Sequence, residues 1–188
     1  MPQSPPPPPL FDAYTPDQMA LRVEKVGIAK AEMAALPLLA LSVLAGAFIA
    51  LGAMLFTVTT TDGELGFGPR QLLGGVAFSL GLILVVVGGA ELFTGNVLMV
   101  MGWADGKVST RALLRNWGMV YAGNLAGGVG MAALAHAGGL FALADGDVGE
   151  TARRIAEAKA ALPFGVAFAK GILCNILVCL AVWLCFAA

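Results

Sequence analysis

The sequence predicts an all-α integral membrane protein, a bundle of apolar helices whose second span is broken, and three observations carry that prediction. Of its 188 residues, 59% are hydrophobic and 12% are charged, whereas a soluble domain is about a quarter charged. Four apolar stretches follow one another at the length that crosses a hydrocarbon core, about 20 residues. The second, Gln71 to Met101, is longer than one straight crossing and carries Glu91, Thr94, Asn96 and three glycines, Gly88, Gly89 and Gly95, near its middle. Such groups are costly against lipid, so they should face protein or a water-filled cavity, with the backbone leaving the helix there.

Composition also excludes classes. The 11 Lys plus Arg nearly balance 12 Asp plus Glu and are scattered through short loops, which leaves no field for binding nucleic acid. Cys174, Cys179 and Cys185 fall in one apolar stretch without a CxxC pattern or a histidine neighbour. Neither a zinc site nor a disulfide framework is suggested, and the thiols read as small hydrophobes. No metal, cofactor or enzymatic activity is expected.

Residues 1–14 form a proline-rich tail in which Pro5 to Pro9 cannot make a helix and should lie extended and disordered; a proline-rich ligand is the alternative. The chain start lacks the basic and apolar regions of a secretory signal, so insertion is expected to be directed by the first span. Residues 15–36 read as an amphipathic helix on the membrane face. There Thr15-Pro16-Asp17-Gln18 is a capping-box start with proline at the first helical position, and Met19, Val23, Val26 and Met33 recur at helical spacing.

The transmembrane domain is expected over 37–188. Span one, about 38–58, is uncharged. Span two, about 71–101, follows the polar loop Thr59 to Arg70, and its interruption is expected at Leu92 to Gly95, non-helical and lining a cavity. Span three, about 117–135, follows Arg111 and Arg115 and places Gly123 and Gly127 at the spacing that lets another helix approach closely. The polar loop His136 to Ala161 accommodates a short helix around Arg153. Span four, about 162–187, is interrupted by Lys170 and Asn175, and the sequence stops at Ala188 without a polar flank, from which a truncated chain is expected. Arg22, Lys25 and Lys30 before span one, and Lys107, Arg111 and Arg115 after span two, outweigh Arg70 in the first loop. That bias places the N-terminus in the cytoplasm, although Arg153, Arg154 and Lys159 in loop three blur it.

Two stretches carry a family resemblance. Val86-Val87-Gly88-Gly89-Ala90-Glu91-Leu92-Phe93-Thr94-Gly95 resembles the first signature of the formate/nitrite transporter family. Lys170-Gly171-Ile172-Leu173-Cys174-Asn175-Ile176-Leu177-Val178-Cys179-Leu180-Ala181-Val182-Trp183 resembles its second, and Phe78-Ser79-Leu80-Gly81-Leu82 is similar to the family's second span. The resemblance implies an aquaporin-like helical bundle, with four of an expected six transmembrane helices present, in a multi-pass protein of the cell inner membrane. It further implies a homopentamer with a pore in each subunit and breaks in the second and fifth helices. The fifth and sixth spans, with the half-helix bearing the family's central pore histidine, would lie beyond Ala188. His136 does not match that histidine and reads as a loop-edge residue.

The resemblance also assigns a substrate pathway. Thr94 matches a hydroxyl in the broken-helix loop facing the central histidine, and capping of the next half-helix is a second, compatible reading. Leu92 and Val178 match inner constriction positions and Phe78 and Leu82 outer ones, where an apolar ring strips water from an ion; by chemistry alone these four read as core. Lys159 matches an outer-vestibule lysine. Chemistry alone lets Lys159 and Lys170 either snorkel to the interface or line an anion path, and lets Asn175 be a pore contact or a helix-to-helix hydrogen bond. Glu91 and Gly95 are given structural roles. Glu91 should hold the loop by accepting backbone N–H bonds, since a bare carboxylate in the path would repel an anion, and Gly95 should allow a tight backbone approach.

The expected function is a channel or carrier for small monovalent anions, formate or nitrite, passive or proton-coupled, with the lipid bilayer and sister subunits as partners. Hydrosulfide is the alternative within the family, and the Glu-Leu-Phe-Thr-Gly loop with Lys170 before Gly171 looks more like the nitrite branch. An aquaporin-like channel for water or small neutral solutes is one rival and should show paired Asn-Pro-Ala boxes, which do not occur. A membrane subunit of a redox enzyme is another, and it would need haem-ligating histidines within the spans or a cysteine cluster.

Overall fold

Helix boundaries in the computed structural model, which describes residues 14–61 and 65–187, follow from local chemistry. The proline run lies outside the described residues. Helix α1, Pro16–Glu32, starts on the expected capping box: the Thr15 N–H donates to Gln18 Oε1 at 2.9 Å while the Gln18 N–H donates to the Thr15 hydroxyl. Helix α2, Ala35–Thr59, carries no charge, and Pro37 sits in its first turn, where an N–H would have no helical acceptor. Helix α3 covers Phe67–Val87 and half-helix α4 covers Phe93–Ala104, tightened to a 3-10 turn at Val97–Met99.

Helix α5, Thr110–Ala137, begins where the Ser109 hydroxyl accepts the Ala112 N–H at 3.2 Å. It therefore starts earlier than the apolar stretch from Trp117, because a capped polar turn precedes the span. Helix α6, Asp147–Ala160, contains Arg153 as expected. Helix α7, Phe164–Cys185, runs without a break through Lys170 and Asn175, so these polar residues do not interrupt span four. Among the described residues α2, α3, α5 and α7 are the four helices long and apolar enough to cross a membrane.

Helix α2 lies between α3 and α5. Its crossing with α5 is as close as the glycine spacing predicts: a Cβ on Gly127 would stand 2.0 Å from the Val43 carbonyl oxygen, and one on Gly123 would stand 2.4 Å from Ser42 Cβ. Only a hydrogen fits there, so the two backbones touch. Helix α1 is no free surface helix. Its Met19, Val23 and Gly27 are buried, and Ile28 and Ala31 pack on the cluster of Met99, Val108 and Leu113. Helix α7 meets α4 along one face and exposes Phe164, Phe168, Leu173, Leu177 and Leu184 elsewhere.

Candidate functional site at the broken helix

The break is built by Gly88, Gly89 and Ala90. Gly89 adopts φ +65°, a left-handed conformation that glycine tolerates best. The Ala90 N–H then donates to the Val85 carbonyl at 3.0 Å and the Gly89 N–H to the Val86 carbonyl at 3.3 Å, the pattern that closes a helix C-terminus. The Glu91 N–H donates to the Leu41 carbonyl of α2 at 3.2 Å, Leu92 is extended, and helix resumes at Phe93. The non-helical segment is thus Gly88 to Leu92, not Leu92 to Gly95. Thr94 and Gly95 lie in the first turn of α4, so Thr94 does not occupy the capping position. Leu92 does, and its side chain makes no capping bond.

Around the break the polar side chains satisfy one another. The Lys30 ammonium lies 2.9 Å from Glu91 Oε1 and donates to Asn96 Oδ1 at 2.8 Å. Asn96 Nδ2 donates to Glu91 Oε2 at 2.7 Å and to Asn116 Oδ1 at 2.9 Å, and Asn116 Nδ2 donates to the Lys30 carbonyl at 3.0 Å. Glu91, Asn96 and Asn116 are all buried, where an unpaired charge would be prohibitive. Glu91 accepts side-chain donors, from Lys30 and Asn96, and not the expected backbone N–H groups. The nearby N–H groups of Gly89, Ala90 and Glu91 are already committed to carbonyls.

A cavity of about 340 Å³ opens beside this network, lined by Arg22, Lys30, Glu91, Leu92, Gly95 and Val182 among others. Because Lys30 and Glu91 cancel, the Arg22 guanidinium, 4.3 Å from the Tyr14 ring centroid, leaves the wall net positive. Outside the cavity lining, Lys107 bridges Glu24 of α1 at 2.6 Å and Asp105 at 2.7 Å. Its hydrogen bond to Asp105 holds that carboxyl below the usual carboxylate range and pushes the lysine up.

Of the site residues read from sequence, the pathway residue Leu92 and the loop residues Glu91 and Gly95 line the cavity. Thr94 meets the second signature instead: the Cys179 thiol donates to its carbonyl at 3.3 Å, and Asn175 Nδ2 donates to Cys179 Sγ at 3.7 Å. A Cβ on Gly95 would stand 3.7 Å from Val182 Cγ2, an ordinary contact, so no tight approach requires glycine there. Val178 and Leu82 are half-buried, Phe78, Lys159 and Lys170 are exposed, and none of the five lines this cavity. His136 is exposed in the last turn of α5. The sequence reading missed Lys30 as a site residue and passed over Asn116 and Asn124. Lys30 continues the buried face of Met19, Val23 and Gly27, while Asn116 and Asn124 share a face of α5 with the buried Val120.

A family model described as formate/nitrite transporter matches residues 17–188. The formate channel FocA of Escherichia coli strain K12 is 40% identical over 177 residues, 94% of this chain and 62% of that protein. A solved pentameric formate channel with formate bound is similar at 44% identity and a TM-score of 0.77, over 82% of this chain and 61% of that one. A solved FNT family ion channel is similar at 30% identity and a TM-score of 0.80, over 89% of this chain and 68% of that one.

Proposed function

The chain belongs to the formate/nitrite transporter family, and from that premise we propose that it conducts small monovalent anions, formate or nitrite, across the membrane. The supporting observation is the charge-compensated break. A carboxylate at this depth would repel an anion, but the Lys30 ammonium at 2.9 Å neutralises it and Arg22 adds a positive charge to the same cavity. An anion drawn in loses water against Leu92, Val85 and Val182 and meets the first turn of α4 at Gly95; Thr94, in the same turn, belongs to the next part of the path.

In this reading Lys159 attracts the anion at the opposite mouth, and Lys170, Phe78, Leu82, Asn175 and Val178 belong to the rest of the path. The assembly is a homopentamer of the inner membrane with a cytoplasmic N-terminus. Purified protein in liposomes should take up formate and nitrite. Glycerol permeation without anion flux would instead favour the neutral-solute channel, and labelling of a cysteine placed at Ser4 by an impermeant reagent in intact cells would reverse the orientation.

A further inference from the structure

We infer that Asn124, midway along α5, is the positioning residue of the pathway: it supplies the cap that α4 lacks and thereby sets where Leu92 and Thr94 stand. The inference rests on the pathway reading above. The first N–H groups of any helix have no acceptor of their own, and inside a membrane no bulk water replaces one. At α4 the capping position is Leu92, whose side chain makes no capping bond. The acceptor comes from another helix, because Asn124 Oδ1 takes the Phe93 N–H at 2.9 Å. The same amide donates through Nδ2 to the Glu91 carbonyl at 2.9 Å and to the Ser42 carbonyl of α2 at 2.8 Å.

These bonds define the amide's orientation, since a flip would set its NH2 against an N–H and its oxygen against two carbonyls. They also straddle Leu92, gripping the carbonyl of the residue before it and the N–H of the residue after it. Both peptide planes flanking the expected constriction are held by one side chain. The side chain's own base is equally fixed, because a Cβ on Gly46 of α2 would stand 2.0 Å from the Asn124 carbonyl oxygen. Thr94, two residues beyond Leu92, is gripped separately through its carbonyl by the Cys179 thiol. Cys179 is therefore a native reporter of where the α4 turn sits.

The test compares Asn124→Ala, which removes all three bonds, with Asn124→Asp, which in its ionised form keeps the acceptor and loses both donors. Full-length protein is reconstituted in liposomes, with every cysteine other than Cys179 replaced by serine. Two quantities are read per folded channel: discrimination between formate and acetate uptake, and the rate of Cys179 alkylation by a small maleimide. A displaced α4 turn should cut discrimination and speed alkylation about tenfold in Asn124→Ala, the change that the loss of one typical hydrogen bond produces, with Asn124→Asp between it and the unmodified protein. A role confined to stability would lower the yield of folded channel and leave both quantities unchanged, which overturns the inference.

Should neither variant fold, amide exchange in the unmodified protein decides. The Phe93 N–H should exchange about tenfold more slowly than those of Thr94 and Gly95 in the same turn, and equal rates overturn the inference. Absence of formate uptake by the unmodified protein would remove the transport reading, while alkylation and exchange would still decide whether Asn124 sets the α4 turn.

Discussion

Replacing Lys30 by methionine keeps the apolar stem but removes the ammonium that pairs with Glu91. The Glu91 side chain is 5% exposed and that of Lys30 is 23% exposed, so water compensates the carboxylate poorly. Breaking a buried pair from one side costs about 3–5 kcal/mol, and the partial exposure of Lys30 puts Lys30→Met near the lower end, about 3 kcal/mol. Glu91→Gln strands instead an ammonium that reaches water through the cavity, a smaller loss of about 1–2 kcal/mol. The double variant holds no charge, and a glutamine at position 91 can still bond Asn96, so it should lie within about 1–2 kcal/mol of the unmodified protein. The non-additivity is then about 3 kcal/mol. Thermal melting followed by tryptophan fluorescence in detergent should place Lys30→Met lowest, with the double variant above it. Destabilisations that simply add would refute the argument that charge pairing holds the break. Transport gives a second reading: Glu91→Gln makes the cavity more positive and should lower KM for formate, whereas Lys30→Met should raise it.

The remaining predictions concern packing, pH and the hydroxyl. Gly127→Ala forces a methyl into the Val43 carbonyl and should lose about 3 kcal/mol in melting experiments, while Gly130→Ala, with nothing within 4 Å of the new Cβ, should melt as the unmodified protein does. Asp105 titrates below its ordinary value, so its share of stability is present above the ordinary carboxylate range and is lost as pH falls through the lowered value; Lys107 titrates above its own, so its share is present below the ordinary lysine range and is lost as pH rises through the raised value. Melting temperature should hence show little pH dependence from this cluster between about pH 5 and pH 9, and Asp105→Asn should soften the acid limb and, because the bond to Asp105 is the first cause of the raised Lys107 titration, the alkaline limb as well. Thr94→Val should impair formate uptake with expression and oligomer size intact, and wild-type uptake across about pH 5 to 8 would leave the hydroxyl without a transport role. Gly95→Ala should fold normally, since the added methyl meets Val182 at contact distance.

What was legible in the sequence depended on neighbours in the chain. The capping box at Thr15, the uncharged length of α2 and the Gly123 and Gly127 pair each act within a turn or two, and the structure has all three. The start of α4 was misplaced because Thr94 and Gly95 look like loop residues, whereas the acceptor that starts the helix is Asn124, 31 residues from Phe93. The Lys30 and Glu91 pair closes over 61 residues, beyond any local pattern. It was nevertheless derivable by elimination. Lys30 falls on the buried face of an amphipathic helix, so its charge needs a counter-ion once that face is covered. The four apolar stretches contain a single carboxylate, Glu91. A half-buried cation at the membrane edge and one buried carboxylate in a span that must bend there leave few other pairings, and that pairing implies that α1 docks on the break instead of lying apart from it.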